Sequence, residues 1–193
     1  ANQSFDESNL DILRKLDEFD IACIEEPYNP SFVPRNGDTN LFARLSDLQE
    51  HIKTPVCLDE SVVTAQDMEE AMDFDNLKCY ALKVTKFGGI QPTLDFYKWA
   101  REQGKVTWMG GMFDTGVSKR MHAAFATLPG MDLPADVSDF TEYFEHDTAL
   151  PPLQLHEGEL VLNTVDHPAG LGCVLDKDYL RSVLVDEVTI TKD

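Results

Sequence analysis

The chain has 193 residues, of which 42% are apolar and 26% are charged, and its formal net charge is −19 at pH 7. This length and apolar content suffice for a buried core, so we expect a single domain that spans residues 1–193. The strong negative charge repels nucleic-acid phosphates and anionic lipids, and we therefore expect neither nucleic acid nor a membrane among the partners.

Strand-like and helix-like segments alternate along the first two thirds of the chain. The helix-like segments repeat apolar residues at steps of three or four, and the strand-like segments are short apolar runs next to proline or glycine. The predicted helices cover 7–18, 38–51, 65–72, 92–103 and 117–127, and the predicted strands cover 21–25, 56–59, 79–84 and 105–109. This alternation is typical of a parallel α/β barrel, so the sequence predicts an α/β fold with strand–helix units over about residues 7–128.

The alternation stops near residue 128, and we expect an irregular C-terminal tail with a hairpin over about residues 129–193. Residues 129–152 contain four prolines, which favour irregular structure. Residues 154–162 have the pattern of a β-hairpin that turns at Glu157 and Gly158. The other elements predicted in the tail are a short helix over 177–183 and a strand over 185–193.

Three of the predicted strands run into a single charged residue. These residues are Glu25, Asp59 and Lys83, and the segments that carry them read IACIEE, TPVCLDES and CYALKVTKFGG. The intervals between them leave room for one helix each. Because successive parallel strands of a barrel end at the same rim, the sequence predicts that these three side chains share a site.

The chemistry of this rim has two interpretations. Glu25 and Asp59 supply the oxygen ligands that a hard divalent cation such as Mg²⁺ prefers, although two carboxylates are few for such a site; alternatively, they are helix-capping or surface acids. Burial disfavours the charged form of a lysine, which makes Lys83 a candidate base; alternatively, it lies on an exposed strand face or in a structural ion pair. The second interpretation applies more strongly to Lys86, in the loop before two glycines.

The cysteines and histidines indicate structural roles. Cys23, Cys57 and Cys79 lie in apolar strand-like runs, and no CxxC motif is present. Buried free thiols therefore fit better than disulfides or zinc, and we expect a reducing, cytoplasmic location. His122 lies in a helical pattern and is interpreted as a core or helix-face histidine.

Taken in order, the motifs IEEP, TPVCLDES, LKVTKFGG, WMGGMFDTG and TLPGMDLPADVS resemble the enolase superfamily, above all the o-succinylbenzoate synthase and N-acylamino acid racemase group. The resemblance covers nearly the whole chain. It implies a partial (β/α) TIM-type barrel, the C-terminal half of a longer enzyme whose N-terminal capping domain and first barrel strands are absent from this sequence.

The resemblance also assigns roles to individual residues. Glu25 and Asp59 match the second and third metal ligands of the family, and Lys83 matches its catalytic lysine. The further matching positions are Asn2 and Glu60 near the metal and Gly111 and Met112 in the substrate pocket. The cofactor implied is Mg²⁺, with Mn²⁺ as a substitute, acting with the lysine on a small carboxylate substrate through an enediolate.

The sequence departs from the family pattern in several places. Nothing matches the KxK pair of an earlier barrel strand, and the first metal aspartate corresponds to a position before Ala1. The segment VTK replaces the usual PGR before the glycines, and Ser118 and Lys119 replace GR, changes that bear on substrate choice. We therefore expect the isolated chain to be inactive, and to form a homo-oligomer or to pair with the missing N-terminal part.

The resemblance implies a Mg²⁺-dependent dehydration that yields o-succinylbenzoate for menaquinone synthesis. Alternatives within the superfamily are an N-acylamino acid racemase, a dipeptide epimerase and a cycloisomerase. An alternative of another class is a non-catalytic barrel fragment that acts as a scaffold, which predicts indifference to Lys83→Ala.

Overall fold

The computed structural model describes residues 1–32, 37, 40–162 and 170–190. Contacts between Cα atoms divide the chain into two compact units. The first is Ala1–Gly110 with Leu128–Ala135, and the second is Gly111–Thr127 with Asp136–Asp193. Each unit is described separately below, and the single domain over residues 1–193 stays a prediction.

The first unit is built on a four-stranded parallel sheet in the order β1-β2-β3-β4. The strands are β1 (Ile24–Glu25), β2 (Val56–Leu58), β3 (Cys79–Leu82) and β4 (Val106–Met109). Spatial order follows chain order, as in consecutive strand–helix units of a barrel. The predicted parallel α/β arrangement is thereby confirmed.

Four helices of the first unit occupy the predicted segments. They are α1 (Leu10–Leu16), α2 (Leu41–His51), α3 (Ala65–Met72) and α4 (Ile90–Glu102). Polar side chains fix two of the starts: Asn40 Oδ1 accepts from the Ala43 N–H before α2, and Thr64 and Asp67 form a reciprocal capping box at α3. Short 3₁₀ turns flank α1, so the helix predicted over 7–18 is interrupted at both ends.

Strands and helices of the first unit bury their apolar faces. Every residue of β2 and β3 is buried, as expected for parallel strands that are covered on both sides. Leu45 and Leu48 of α2 are fully buried. Tyr80 of β3 packs edge-on against Phe96 of α4, with ring centroids 5.4 Å apart. Such packing anchors the strands whose ends form the rim.

The third strand is shorter than the sequence predicted. We expected it to continue to Val84 with Lys83 in its interior, but it ends at Leu82. The Lys83 carbonyl accepts hydrogen bonds from the N–H groups of Lys86 (3.0 Å) and Phe87 (3.1 Å), which turns the chain at once. Lys83 is therefore the first residue beyond the strand.

The second unit contains helix α5 (Gly116–Ala126), helix α6 (Lys177–Ser182) and two small antiparallel pairs. In one, β5 (Ala149–Leu150) pairs with β8 (Val174–Leu175); in the other, β6 (Leu155–His156) pairs with β7 (Glu159–Leu160). The second pair confirms the hairpin predicted over 154–162, with positive φ at both turn residues.

The tail prediction was wrong in two places. The sequence did not indicate the pairing of β5 with β8, which lies partly in the segment predicted to be irregular. We predicted a strand over 185–193, of which the structure describes 185–190. These residues are exposed and do not pair with any strand. Within the described residues, no helix is both long and apolar enough to cross a membrane.

Candidate active site at the ends of the parallel strands

The three charged residues singled out in the sequence lie at the same edge of the parallel sheet. Glu25 is the last residue of β1, Asp59 directly follows β2, and Lys83 directly follows β3. The register confirms that these strands are neighbours, since Glu25 pairs with Cys57 on β2 and Leu58 pairs with Tyr80 on β3. The carboxyl ends of parallel strands are where barrels place their functional groups.

Asp59 is the electrostatic centre of this group, because two lysines bind its two carboxylate oxygens. Lys83 Nζ lies 2.5 Å from Oδ2, and Lys86 Nζ lies 2.6 Å from Oδ1. None of the three side chains is more than 14% exposed. Burial by itself raises the pKa of Asp59, but the ammonium groups of Lys86 and Lys83 outweigh it and leave the pKa below its ordinary value.

Lys86 is a site residue that the sequence did not favour. It was interpreted as a loop lysine, yet its Nζ also donates to the backbone carbonyl of Asp59 at 2.7 Å. The turn after Lys83 brings it back to the strand ends. Burial lowers the pKa of Lys86, although the attraction of Asp59 acts in the opposite direction. Its position in the motif LKVTKFGG is the only sequence signal that could have marked it.

Glu25 lies half-buried beside Asp59. Burial, then the negative charge of Asp59 and a hydrogen bond between the two carboxyl groups, raise the pKa of Glu25 to about 7. Lys83 opposes this shift and Glu60 adds to it. Two carboxyl groups in such contact repel each other when both are ionised, and a cation placed between them relieves that repulsion.

Glu26 is a second residue that sequence reasoning missed. Its side chain is fully buried, and its Oε2 accepts from the Asp59 N–H at 3.0 Å and from Ser61 Oγ at 2.9 Å. Its other oxygen, Oε1, is buried and has no hydrogen-bond partner among the described residues. The positive φ of 34° at this position turns the chain sharply after β1. Glu26 thus anchors the backbone that presents Asp59.

Gly110 makes room for the lysine. It directly follows β4, and a Cβ atom placed there would lie 2.6 Å from Cε and 3.3 Å from Cγ of Lys83. Any larger residue would displace the lysine side chain. In the first unit, Gly110 is thus approached closely by the Lys83 side chain.

The other residues of the resemblance have more open positions. Glu60 is exposed, and its negative charge is felt at Glu25 and Glu26. Asn2 is exposed as well, and the neighbouring Gln3 N–H donates to the Glu26 carbonyl at 2.6 Å, which holds this segment beside the end of β1.

Gly111 and Met112 belong to the second unit. Gly111 is half-buried, and a Cβ atom there would collide with the Asp136 carbonyl oxygen, whereas Met112 is 41% exposed. With Lys119 and Ser138 these residues line a small cavity, in which Lys119 Nζ lies 2.7 Å from Ser138 Oγ. His122, at the same cavity, is buried with Nδ1 3.2 Å from Asp114 Oδ2, in keeping with the core role favoured from the sequence.

The rim residues of the first unit fit a hard divalent cation in their chemistry. Glu25 and Asp59 offer carboxylate oxygens on adjacent strands, which is the donor type that Mg²⁺ and Mn²⁺ prefer. Both oxygens of Asp59 are held by lysines, so cation binding replaces at least one of these ion pairs. The predicted site residues Glu25, Asp59 and Lys83 are thus brought together, and their roles stay predictions.

Comparisons with known proteins found a matching family model and similar enzymes. A family model described as "Enolase C-terminal domain-like" matches residues 1–179. The chain is 28% identical over 181 residues to an o-succinylbenzoate synthase of Bacillus subtilis, covering 94% of this chain and 46% of the relative. It is 31% identical over 190 residues to an N-succinylamino acid racemase of Thermus thermophilus, covering 98% and 47%.

A solved structure shows the same fold. A member of the enolase superfamily from Listeria innocua superposes with a TM-score of 0.81 at 27% identity, covering 94% of this chain and 46% of that one. The chain therefore spans about half the length of the relatives that it matches. The predicted fold class, half of a TIM-type barrel, is confirmed.

Proposed function

Because the chain belongs to the enolase C-terminal domain-like family, we propose that it supplies one side of the active site of an enzyme that removes the proton α to a carboxylate. The observation that carries this proposal is the buried contact between Lys83 and Asp59 at the ends of adjacent strands, with Glu25 beside them. A proton-transferring group and two acidic oxygen donors on one rim are the components that such chemistry needs.

Lys83 is the residue that we propose to handle the proton. Its side chain is 14% exposed, so it is largely buried but not closed off from solvent. In the neutral form it takes the α-proton, and in the charged form it stands as a cation beside the negative charge that develops on the substrate. Asp59 orients the side chain, and Gly110 leaves the space in which it lies.

Glu25 and Asp59 would hold a divalent cation, Mg²⁺ or Mn²⁺. Such a cation neutralises charge on the substrate carboxylate and so makes the α-proton more acidic. Lys86 binds Oδ1 of Asp59 at 2.6 Å, and Glu26 accepts from the Asp59 backbone N–H at 3.0 Å, so one contact orients the carboxylate and the other holds its backbone.

For the substrate, we propose the dehydration that gives o-succinylbenzoate, because several synthases are among the relatives, at 28–30% identity. The second candidate is racemisation of N-succinylamino acids, which the 31% identity to a named racemase favours. Both begin with loss of the same kind of proton. We propose a small carboxylate as the substrate. As the macromolecular partner, we propose either a second copy of the protein or the rest of the barrel.

The test compares Lys83→Met with Lys98→Met, an exposed lysine of α4, in the protein that contains this chain. Loss of a positioned acid–base group lowers kcat by about 10²–10⁴-fold, so we expect that loss for Lys83→Met and none for Lys98→Met. Assays with the synthase substrate and with a panel of N-succinylamino acids decide between the two reactions.

Lys83→Arg adds a second comparison, because arginine keeps the positive charge but does not serve as a base near neutral pH. If Lys83 acts as a base, Lys83→Arg is as inactive as Lys83→Met; if it acts as a cation, Lys83→Arg retains part of the rate. Equal activity of the wild type and Lys83→Met would refute the catalytic role and favour a scaffold.

A further inference from the structure

A second cluster of potential ligands lies below the rim of the first unit. Cys23 precedes β1, Cys57 lies in the middle of β2, and Cys79 begins β3. Their Sγ atoms all lie within 4.8 Å of one another. Among the described residues, no other set of three or more histidine, cysteine or carboxylate groups is gathered so closely.

The sheet register brings this thiol cluster together. Cys57 of β2 pairs with Cys79 of β3, and Cys23 directly precedes β1, the neighbour of β2. Each cysteine comes before the rim residue of its own strand, by two residues for Glu25 and Asp59 and by four for Lys83. The three thiols therefore form a sulfur layer on the amino-terminal side of the oxygen and nitrogen layer of the rim.

The surroundings of the thiol cluster are apolar. Cys57 and Cys79 are buried and pack with Ala81, and Val106, Trp108 and Leu133 pack against the cluster. Cys23 is half-buried. The indole N–H of Trp108 donates to Cys57 Sγ at 3.2 Å, a contact that suits a sulfur atom carrying negative charge.

We propose that Cys23, Cys57 and Cys79 form a binding site for a soft, thiophilic metal ion, and that Cu(I) is the ion that fits best. Thiolate ligands select soft cations, whereas carboxylates and water suit Mg²⁺. The two layers would therefore take different metals. This proposal is independent of the catalytic one, since it uses neither the rim residues nor the substrate.

The sulfur spacing suits three-coordinate binding. A metal–sulfur distance of about 2.3 Å places three trigonal ligands about 4 Å apart. The observed limit of 4.8 Å therefore requires the sulfur atoms to approach by about 0.8 Å at most. Structural zinc sites take four ligands, and no fourth such side chain joins the cluster within the described part of the chain.

Binding links three strands through one ion. Each thiol that becomes a thiolate ligand releases its proton to the solvent, so no oxidant or reductant takes part once the copper is supplied as Cu(I). The sequence favoured buried free thiols over zinc or disulfides, and nothing in the spacing of the three cysteines shows that they converge.

The test is an anaerobic titration of the reduced, metal-free protein with Cu(I) in the presence of a chromophoric Cu(I) chelator. We expect one equivalent to be bound per chain, and we expect Cys23→Ser to abolish that equivalent. Cys23 is the site of choice because it is half-buried, so its substitution disturbs the core less than that of Cys57 or Cys79. Circular dichroism checks that the variant is folded.

Cys173→Ser is the matched control, since Cys173 is the remaining free cysteine and lies in the second unit, outside the thiol cluster. It should retain the full equivalent. X-ray absorption at the copper edge should show three sulfur neighbours and no nitrogen or oxygen. Retention of the equivalent by Cys23→Ser, its loss in Cys173→Ser, or a copper ion with nitrogen or oxygen ligands would overturn the proposal.

Discussion

The rim and the layer beneath it lie on the same strands, yet they differ completely in chemistry. Glu25, Asp59 and Lys83 form a charged group with a 2.5 Å ion pair, whereas Cys23, Cys57 and Cys79 form an apolar layer of thiols. A step of only two residues separates the layers on the first two strands. The two layers therefore differ in the partners that they offer rather than in burial, because carboxylates and ammonium groups need partners or solvent that thiols do not.

The largest expected effect is at the centre of the rim. Asp59→Asn leaves the buried ammonium groups of Lys83 and Lys86 without their negative partner. Breaking a buried ion pair in this way costs about 3–5 kcal/mol, so we expect a loss of about 3 kcal/mol in the free energy of unfolding, measured by urea denaturation. Asp11→Asn, at an exposed position of α1, should change it by less than about 0.5 kcal/mol. Similar stability of both variants would show that the rim ions are not coupled.

The next effect separates geometry from stability. Gly110→Ala places a methyl group 2.6 Å from Cε of Lys83, too close for the lysine to stay where it lies. The backbone at Gly110 is not in the left-handed region and the lysine is flexible, so the melting temperature should change little. Displacement of the Nζ by about 1 Å lowers kcat by up to about 10²-fold. A variant with unchanged kcat would show that Lys83 need not lie against Gly110 during the reaction.

The two layers can also be separated by their metals. Glu25→Gln should weaken Mn²⁺ binding and leave the Cu(I) equivalent intact, because carboxylates bind hard ions and thiols bind soft ones. Mn²⁺ binding is measured by electron paramagnetic resonance, in which the signal of the free ion decreases as the ion binds. Cys23→Ser should have the opposite pattern. If either substitution reduces the binding of both metals, the layers act as one site.

The smallest effect is expected at the opposite ends of the strands. Asp17 accepts hydrogen bonds from the backbone N–H groups of Lys53 and Thr54, just before β2. Asp17→Asn should lower the free energy of unfolding by about 1 kcal/mol without any effect on metal binding. Glu18→Gln, its exposed neighbour, is the control and should have no effect.

The stabilisation by Asp17 should depend on pH in the acid range. Burial raises the pKa of Asp17, but the hydrogen bonds from Lys53 and Thr54 together outweigh it and leave the pKa below the ordinary value of 3.8. Its stabilising contribution is therefore complete above that pH and is lost as pH falls through the lowered pKa. The difference in the free energy of unfolding between wild type and Asp17→Asn should disappear in acid. A difference that stays constant with pH would show that packing, not the carboxylate charge, causes the effect.

Much of the first unit follows from local sequence. Helices α2 and α3 begin where Asn40 and Thr64 cap them, and β4 ends where the glycines begin. The motif order also indicated Glu25, Asp59 and Lys83 as neighbours. The end of β3 was missed by two residues, because the turn at Lys83 depends on hydrogen bonds that apolar periodicity does not encode.

The sequence by itself determined the alternation of strands and helices and the position of charges at strand ends. Both follow from local properties, namely the spacing of apolar residues and the turns that proline and glycine favour. Only the tertiary structure decided that Lys86 binds Asp59, that Glu26 is buried with one oxygen unpaired, and that three thiols converge. Each of these depends on distances across strands, which are set by sheet register and packing rather than by position along the chain.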